Sequence, residues 1–280
     1  MRTLNVEVLT ETVERLCIEA NYYLNEDIEQ ALKKAADNEV SNTGRSILNS
    51  LIKNADIARN ENMAICQDTG MTVIFIEIGQ EVLIEGGNIE DAINEGVRRG
   101  YKKGYLRCSV VKDPLRRTNT NDNTPAVIHY DVIKGDKVKI HVVPKGFGSE
   151  NMSTLTMLKP SDGVEGVKKT VIEAVSKAGA NPCPPIIVGV GIGGTMEKAA
   201  LISKKALMRP INEGNPDSYY KDLEDEILEN INNLGIGPAG LGGRITALGV
   251  NIETYPTHIA GLPVAVNISC HATRHKSATI

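Results

Sequence analysis

A chain of 280 residues that is 41% hydrophobic and 24% charged can bury a large core, which excludes disorder and fibrous structure. A formal net charge of -4 argues against a nucleic-acid partner, and with no Trp and only two Phe there is no aromatic platform for stacking bases. No apolar run approaches the ~20 residues of a membrane span, and Met1-Arg2-Thr3-Leu4-Asn5 lacks the apolar stretch of a signal peptide, so a cytoplasmic protein is expected.

Residues 5 to 62 read as helices. Val13, Leu16, Cys17 and Ala20 recur at helical spacing, and Ile28, Leu32, Ala35 and Ala36 mark a second apolar face. Cys17 sits on the first stripe and reads as a small core residue. The pattern changes at Met71 to Ile78, a β-branched run between Gly70 and Gly79 that predicts a buried strand. A helix from Ile89 to Lys103 follows, with Arg98, Arg99, Lys102 and Lys103 as its solvated face. Tyr105 to Val111 then reads as a strand. Val127 to Ile133 and Lys137 to Val143 alternate around Lys134-Gly135-Asp136 and predict a hairpin showing His129 and His141 on one face. A glycine-bearing loop, residues 145–151, leads to a helix from Val164 to Ala178 that stops at Gly179. Ile186 to Val190 reads as a short strand, Thr195 to Met208 and Asp217 to Leu234 as helices, and Ile245 to Ile252 and Pro263 to Ile268 as strands.

The expected fold is mixed α/β (α+β): a helical region, then a mixed sheet with flanking helices and functional loops at strand edges. No repeat or low-complexity linker splits the chain. One domain over 1–280 is expected, with a soft seam near residue 62 between a helical lobe (about 1–62) and a sheet-containing lobe (about 63–280).

Five cysteines in a reducing compartment are core residues, metal ligands or reactive thiols rather than disulfides. Three of them sit at the edge of a Gly- or Pro-rich loop: Cys66 in Cys66-Gln67-Asp68-Thr69-Gly70, Cys183 in Asn181-Pro182-Cys183-Pro184-Pro185, and Cys270 in Cys270-His271-Ala272-Thr273-Arg274. An iron-sulfur cluster held by three thiolates leaves one iron open, and an open iron is a Lewis acid rather than an electron carrier. The wide separations resemble neither ferredoxin runs nor zinc-ribbon pairs. Spacing therefore leaves a three-cysteine cluster, a structural zinc and unrelated cysteines all open.

Cys108, inside the apolar segment after Tyr105, reads as core. Its neighbour Arg107 has the planar donor fork that suits carboxylates. His258, in the Pro256 to Gly261 loop, is a candidate pocket residue, whereas His271 and His275 are marked only by their nearness to Cys270. The run Gly189-Val190-Gly191-Ile192-Gly193-Gly194 matches a dinucleotide fingerprint, but its helix leads into the loop 209–216 instead of a second strand ending in an acid. A backbone N–H nest for a carboxylate or a cluster sulfide is the preferred reading there.

The words CQDTG, NDNTPA, KGFGSEN, NPCPP, GVGIGGT, IGPAGLGG, PTHIAGLPVAVN and CHATR occur in this order. Together they resemble the alpha-type half of class I iron-sulfur hydro-lyases, the fumarate hydratase and L-tartrate dehydratase group, over about residues 5 to 275. The resemblance implies a 4Fe-4S cluster on Cys66, Cys183 and Cys270 with one iron free. It implies that Gln67, Asp68 and Arg107 hold a small dicarboxylate substrate, that Gly146, Gly148 and Ser149 lend contacts, that His258 lines the pocket, and that Asp68 shuttles a proton. Single-chain members continue into a second domain, so the resemblance also implies a separate beta-type subunit and homodimerisation within an alpha2beta2-like assembly. Reversible hydration of fumarate to malate is the expected activity. The alternatives are an L-tartrate dehydratase or mesaconate hydratase alpha subunit and, outside enzymes, a zinc-stabilised or redox-sensing binding module.

Overall fold

The apolar stripes become helix faces in a computed structural model that describes residues 1–280. The chain runs β1 (Arg2–Asn5), α1 (Val6–Tyr22), α2 (Glu26–Asn38), α3 (Asn42–Glu61), β2 (Met71–Gly79), β3 (Val82–Glu85), α4 (Ile89–Lys103), β4 (Val127–Ile133) and β5 (Val138–Lys145). It continues through α5 (Phe147–Glu150), β6 (Thr154–Leu158), α6 (Gly163–Ala178), β7 (Ile186–Gly193), α7 (Met196–Ala206), α8 (Ser218–Asn232), β8 (Ala247–Tyr255), β9 (Leu262–Ser269) and β10 (Lys276–Thr279). This is a mixed α/β fold, as the patterning predicts. No helix is long and apolar enough to cross a membrane.

Two compact units form, one from Met1–Leu24, Asn54–Phe147 and Arg274–Ile280, the other from Asn25–Lys53 and Gly148–Thr273. Packing partners rather than sequence order set them: α1 packs on α4, and α2 on β8.

In the first unit the sheet order is β10-β5-β2-β4, and a separate pair joins β1 to β3. Leu9, Val13 and Leu16 of α1 and Ile93 and Val97 of α4 bury against Ile74, Ile76, Ile140 and Val142 of the sheet. Cys17 is wholly buried in this core, as its place on the stripe predicts. The ends of α4 match the reading from sequence because chemical punctuation sets them: the Asn88 side chain accepts the N–H groups of Glu90 and Asp91, and Gly104 follows the last turn. Its basic residues are solvated and paired, Arg98 with Glu95 and Asp122, Arg99 with Glu7 and Glu95, and Lys103 with Glu14.

Two expectations fail in this unit. The segment from Tyr105 to Val111 is not a strand, since it forms only an isolated bridge between Val111 and Asn119 and side chains of other loops hold it instead. Cys108 is accordingly on a loop and half-buried rather than in a strand core. β4 and β5 also do not form a hairpin: β2 lies between them, parallel to β4 and antiparallel to β5. His129 and His141 nevertheless share one face, because both are in register with Phe75, and the His129 ring stacks on Phe75 with centroids 5.0 Å apart.

The second unit is built on the sheet β6-β9-β7-β8. Every residue of β7 is buried, and its neighbours β8 and β9 run parallel and antiparallel to it, with α6 and α8 contributing Val171, Val175, Ile227 and Ile231 to the core. Gly189 and Gly191 lie inside β7, not in a phosphate-type loop. A Cβ on Gly191 would stand 2.1 Å from the Ala199 carbonyl oxygen, and one on Gly189 2.2 Å from that of Ser203. Those glycines let α7 lie against the strand, which replaces the nest reading made from the motif.

Candidate functional site

The loop from Cys66 to Gly70 in the first unit is held at every residue by short-range and long-range bonds. Ile65 enters it with its N–H on Asn21 O at 2.9 Å, while Asn54 Nδ2 donates to Ile65 O at 2.8 Å. Cys66 Sγ accepts the Asp68 N–H at 3.4 Å and lies 3.5 Å from Gln67 Oε1. One Asp68 oxygen accepts the Gly70 N–H at 3.0 Å, and the other accepts the Phe147 N–H at 2.9 Å. Two backbone donors thus fix the Asp68 carboxylate in place. The Gly146 chain passes so close that a Cβ there would be 3.2 Å from Asp68 Oδ2.

Thr69 joins this loop to the expected substrate arginine. Its hydroxyl accepts the Arg107 N–H at 2.9 Å and donates to the Arg107 carbonyl at 3.2 Å. Tyr101, buried at the end of α4, donates its hydroxyl to Thr69 O at 2.8 Å, and burial pushes its phenol up from the ordinary value. Asn123 donates to Gly70 O at 3.2 Å and accepts the Ser109 N–H at 2.8 Å. The Arg107 and Gln67 side chains remain exposed.

Three contributors to this half went unnoticed in the sequence. Thr69 and Tyr101 act through backbone atoms of distant segments. Arg274 is buried, donates from Nη2 to the Asp68 carbonyl, and leaves its Nε without a partner. Only its place in the word CHATR marked it.

The remaining expected residues belong to the second unit. Cys183 is exposed, with φ of 56°, and its N–H bonds Ala180 O at 3.0 Å. Cys270 follows β9, and its carbonyl accepts both the N–H of Thr273, at 3.0 Å, and the Thr273 hydroxyl, at 2.8 Å. His271 Nδ1 lies 3.1 Å from the Cys183 carbonyl, so the two cysteine loops of this unit touch. Ser149 is buried, and Gly148 is exposed beside it. The next residue, Glu150, pairs with Lys204 at 2.6 Å and takes a bond from Asn267 at 3.2 Å. His258 is exposed in its loop, where Nδ1 accepts the Ala260 N–H at 3.2 Å.

None of the five cysteines is in a disulfide. Burial pushes the Cys17 thiol up strongly, and burial and the Asp122 charge raise that of Cys108, so both are poor thiolates. The other three stand in loops, Cys183 as an exposed residue and Cys66 and Cys270 as half-buried ones. That donor set suits a soft iron-sulfur site. Neither unit by itself gathers three or more His, Cys, Asp or Glu side chains able to hold a metal ion. Two grooves of the second unit, about 570 Å³ between β6 and α6 and about 360 Å³ beside α2, include none of the expected site residues.

Comparison with known proteins gives the class of this chain, a hydro-lyase. The profile of the fumarate hydratase (fumerase) family matches residues 10–279, and the chain belongs to that family. It is 45% identical over 272 residues to a Methanocaldococcus jannaschii protein provisionally named L(+)-tartrate dehydratase subunit alpha, covering 95% of each chain. It is 34% identical over 273 residues to the L(+)-tartrate dehydratase subunit alpha of Escherichia coli K12, covering 96% of this chain and 89% of that one. The same identity and coverage hold for the protein of that name from Shigella sonnei.

Proposed function

We propose that this chain is the alpha-type subunit of a heteromeric hydro-lyase that removes water from a four-carbon 2-hydroxy diacid. The observation that carries the proposal is the 45% identity, spanning 95% of both chains, to a protein provisionally named L(+)-tartrate dehydratase subunit alpha. The motifs put fumarate hydration first; the names of the relatives move L(+)-tartrate dehydration ahead of it, and the family's own description supports fumarate as the second reading.

Cys66, Cys183 and Cys270 would hold a 4Fe-4S cluster, which when bound supplies a Lewis-acidic iron that weakens the bond to the departing hydroxyl. Arg107 binds a substrate carboxylate through its two-pronged fork and orients the carbon that loses a proton. Gln67 adds a neutral hydrogen-bonding group from the Cys66 loop. Asp68, fixed by the N–H groups of Gly70 and Phe147, holds or moves a proton at one carboxylate oxygen. Gly146, Gly148 and Ser149 supply backbone and hydroxyl contacts, and His258 lines the pocket. The rest of the acid-base machinery comes from a beta-type subunit.

Anaerobic reconstitution with iron and sulfide, with and without the beta-type subunit, tests this reading through assays of L(+)-tartrate, malate, fumarate and mesaconate. The expected result is a brown protein that turns over L(+)-tartrate only when the partner is present. A colourless protein holding one zinc, or full turnover by this chain alone, overturns it.

A further inference from the structure

Glu39 is a charged residue that the activity does not use, yet it is only 1% exposed. Its carboxylate has no ion pair. It is held by backbone N–H groups instead: Ser41 at 2.9 Å, Arg244 at 2.9 and 3.0 Å to the two oxygens, and Ile245 at 2.8 Å. Burial alone would raise its pKa, but those N–H bonds outweigh burial and hold it below the usual carboxylate value. Glycines make room for it, since a Cβ on Gly243 would be 2.7 Å from Oε1 and one on Gly44 would be 2.9 Å from Cγ. The Arg45 guanidinium, by donating to the Glu39 carbonyl at 2.8 Å, fastens the backbone that carries the carboxylate.

What the carboxylate grips is the glycine-rich segment 235–246. That segment is closed on itself by Gly242 N–H to Ile236 O at 2.9 Å and by Gly237 N–H to Thr246 Oγ1 at 3.1 Å. Its tip reaches the Cys183 loop. The Ala239 N–H donates to Pro184 O at 2.8 Å, and Gly240 lies so near Ala180 that a Cβ would be 2.3 Å from the Ala180 Cβ. Ala180 in turn accepts the Cys183 N–H. Both anchors of the Cys183 loop, Ala180 before it and Pro184 after it, therefore rest on the segment that Glu39 holds.

We propose that Glu39 is the positioning residue of the Cys183 loop: its carboxylate fastens the segment 235–246, and that segment keeps Cys183 in the one backbone conformation its neighbours require. Its functional meaning rests on the reading of Cys183 as a cluster ligand, whereas the mechanical link stands on this unit's own bonds. A buried carboxylate bound by several N–H groups is unforgiving, because replacing an oxygen by an NH2 group sets donor against donor.

The test is amide hydrogen exchange on the full chain as purified, together with the rate of iron release to a chelator. Glu39→Gln should raise exchange at the Ala239 and Cys183 amides at least tenfold and hasten iron release. Asp27→Asn, which weakens an acceptor for the Ile211 N–H in the same unit, should leave both amides at the wild-type rate. Should Glu39→Gln fail to fold, Gly44→Ala displaces the carboxylate without removing its charge and is expected to give the same pattern. Wild-type exchange in the Glu39 and Gly44 variants, or an equal rise in Asp27→Asn, overturns the proposal. A wild-type chain that never retains iron, while Glu39→Gln still loosens Ala239 and Cys183, would sink the cluster reading and leave the positioning role standing.

Discussion

Thr69 makes one hydroxyl serve two backbone groups of Arg107, so the loop carrying Cys66 and the residue expected to bind substrate move as one piece. This gives the site residues separable phenotypes. Cys66→Ser, Cys183→Ser and Cys270→Ser should each abolish cluster retention, measured as iron and sulfide content after anaerobic purification, while Cys17→Ser and Cys108→Ser retain it. Iron lost from Cys108→Ser but kept by Cys183→Ser would reject the ligand set. Arg107→Lys keeps the charge and loses the fork, so KM for the diacid should rise tenfold or more, about 1.4 kcal/mol of binding, with the fold unchanged by circular dichroism. An unaltered KM in the presence of the partner removes Arg107 from the site. The motif words marked the three cysteine loops and Asp68, and Arg107 drew notice by its planar donor fork. Thr69, Arg274 and Glu39 were not legible, because their partners lie 38, 206 and 205 residues away and no local pattern records such pairings.

Elements were legible where punctuation is local, as with Asn88 and Gly104 around α4, and misread where a distant strand decides the outcome. Alternation in β4 and β5 is that of a hairpin, and only the insertion of β2 between them shows otherwise. The stretch 105–111 has the composition of a strand, but Thr69, Asn119 and Asn123 take up its backbone groups and leave no ladder to form. In β7 the glycine spacing looked like a ligand loop and proved to be a packing groove for α7. Gly191→Ala should therefore destabilise the chain by about 1–3 kcal/mol, the usual cost of overpacking, seen as a lower urea midpoint with unchanged slope. A midpoint equal to wild type would mean that α7 is free to move away from the strand.

At the scale of the whole molecule, both compact units carry expected site residues: Cys66, Asp68 and Arg107 belong to one, Cys183, Cys270 and His258 to the other. With a beta-type subunit present, the expected assembly contains two copies of each chain, and analytical ultracentrifugation of the co-purified complex should give that mass. A single copy of each would contradict the expected homodimerisation.

The first unit draws on a segment made late in synthesis, Arg274–Ile280. Its outer strand β10 pairs with β5, and Ile280 and Val138 exchange N–H to O bonds of 2.8 and 2.9 Å. Arg274, which braces the Cys66 loop, belongs to the same late segment. On the ribosome, β2, β4, β5 and the CQDTG loop all emerge long before these partners do, whereas both segments of the second unit are complete by Thr273. The first unit must wait with an unpaired β5 edge and an unbraced cysteine loop, and so closes last. The Cys66 loop thus gains its Arg274 brace only after translation has passed β9.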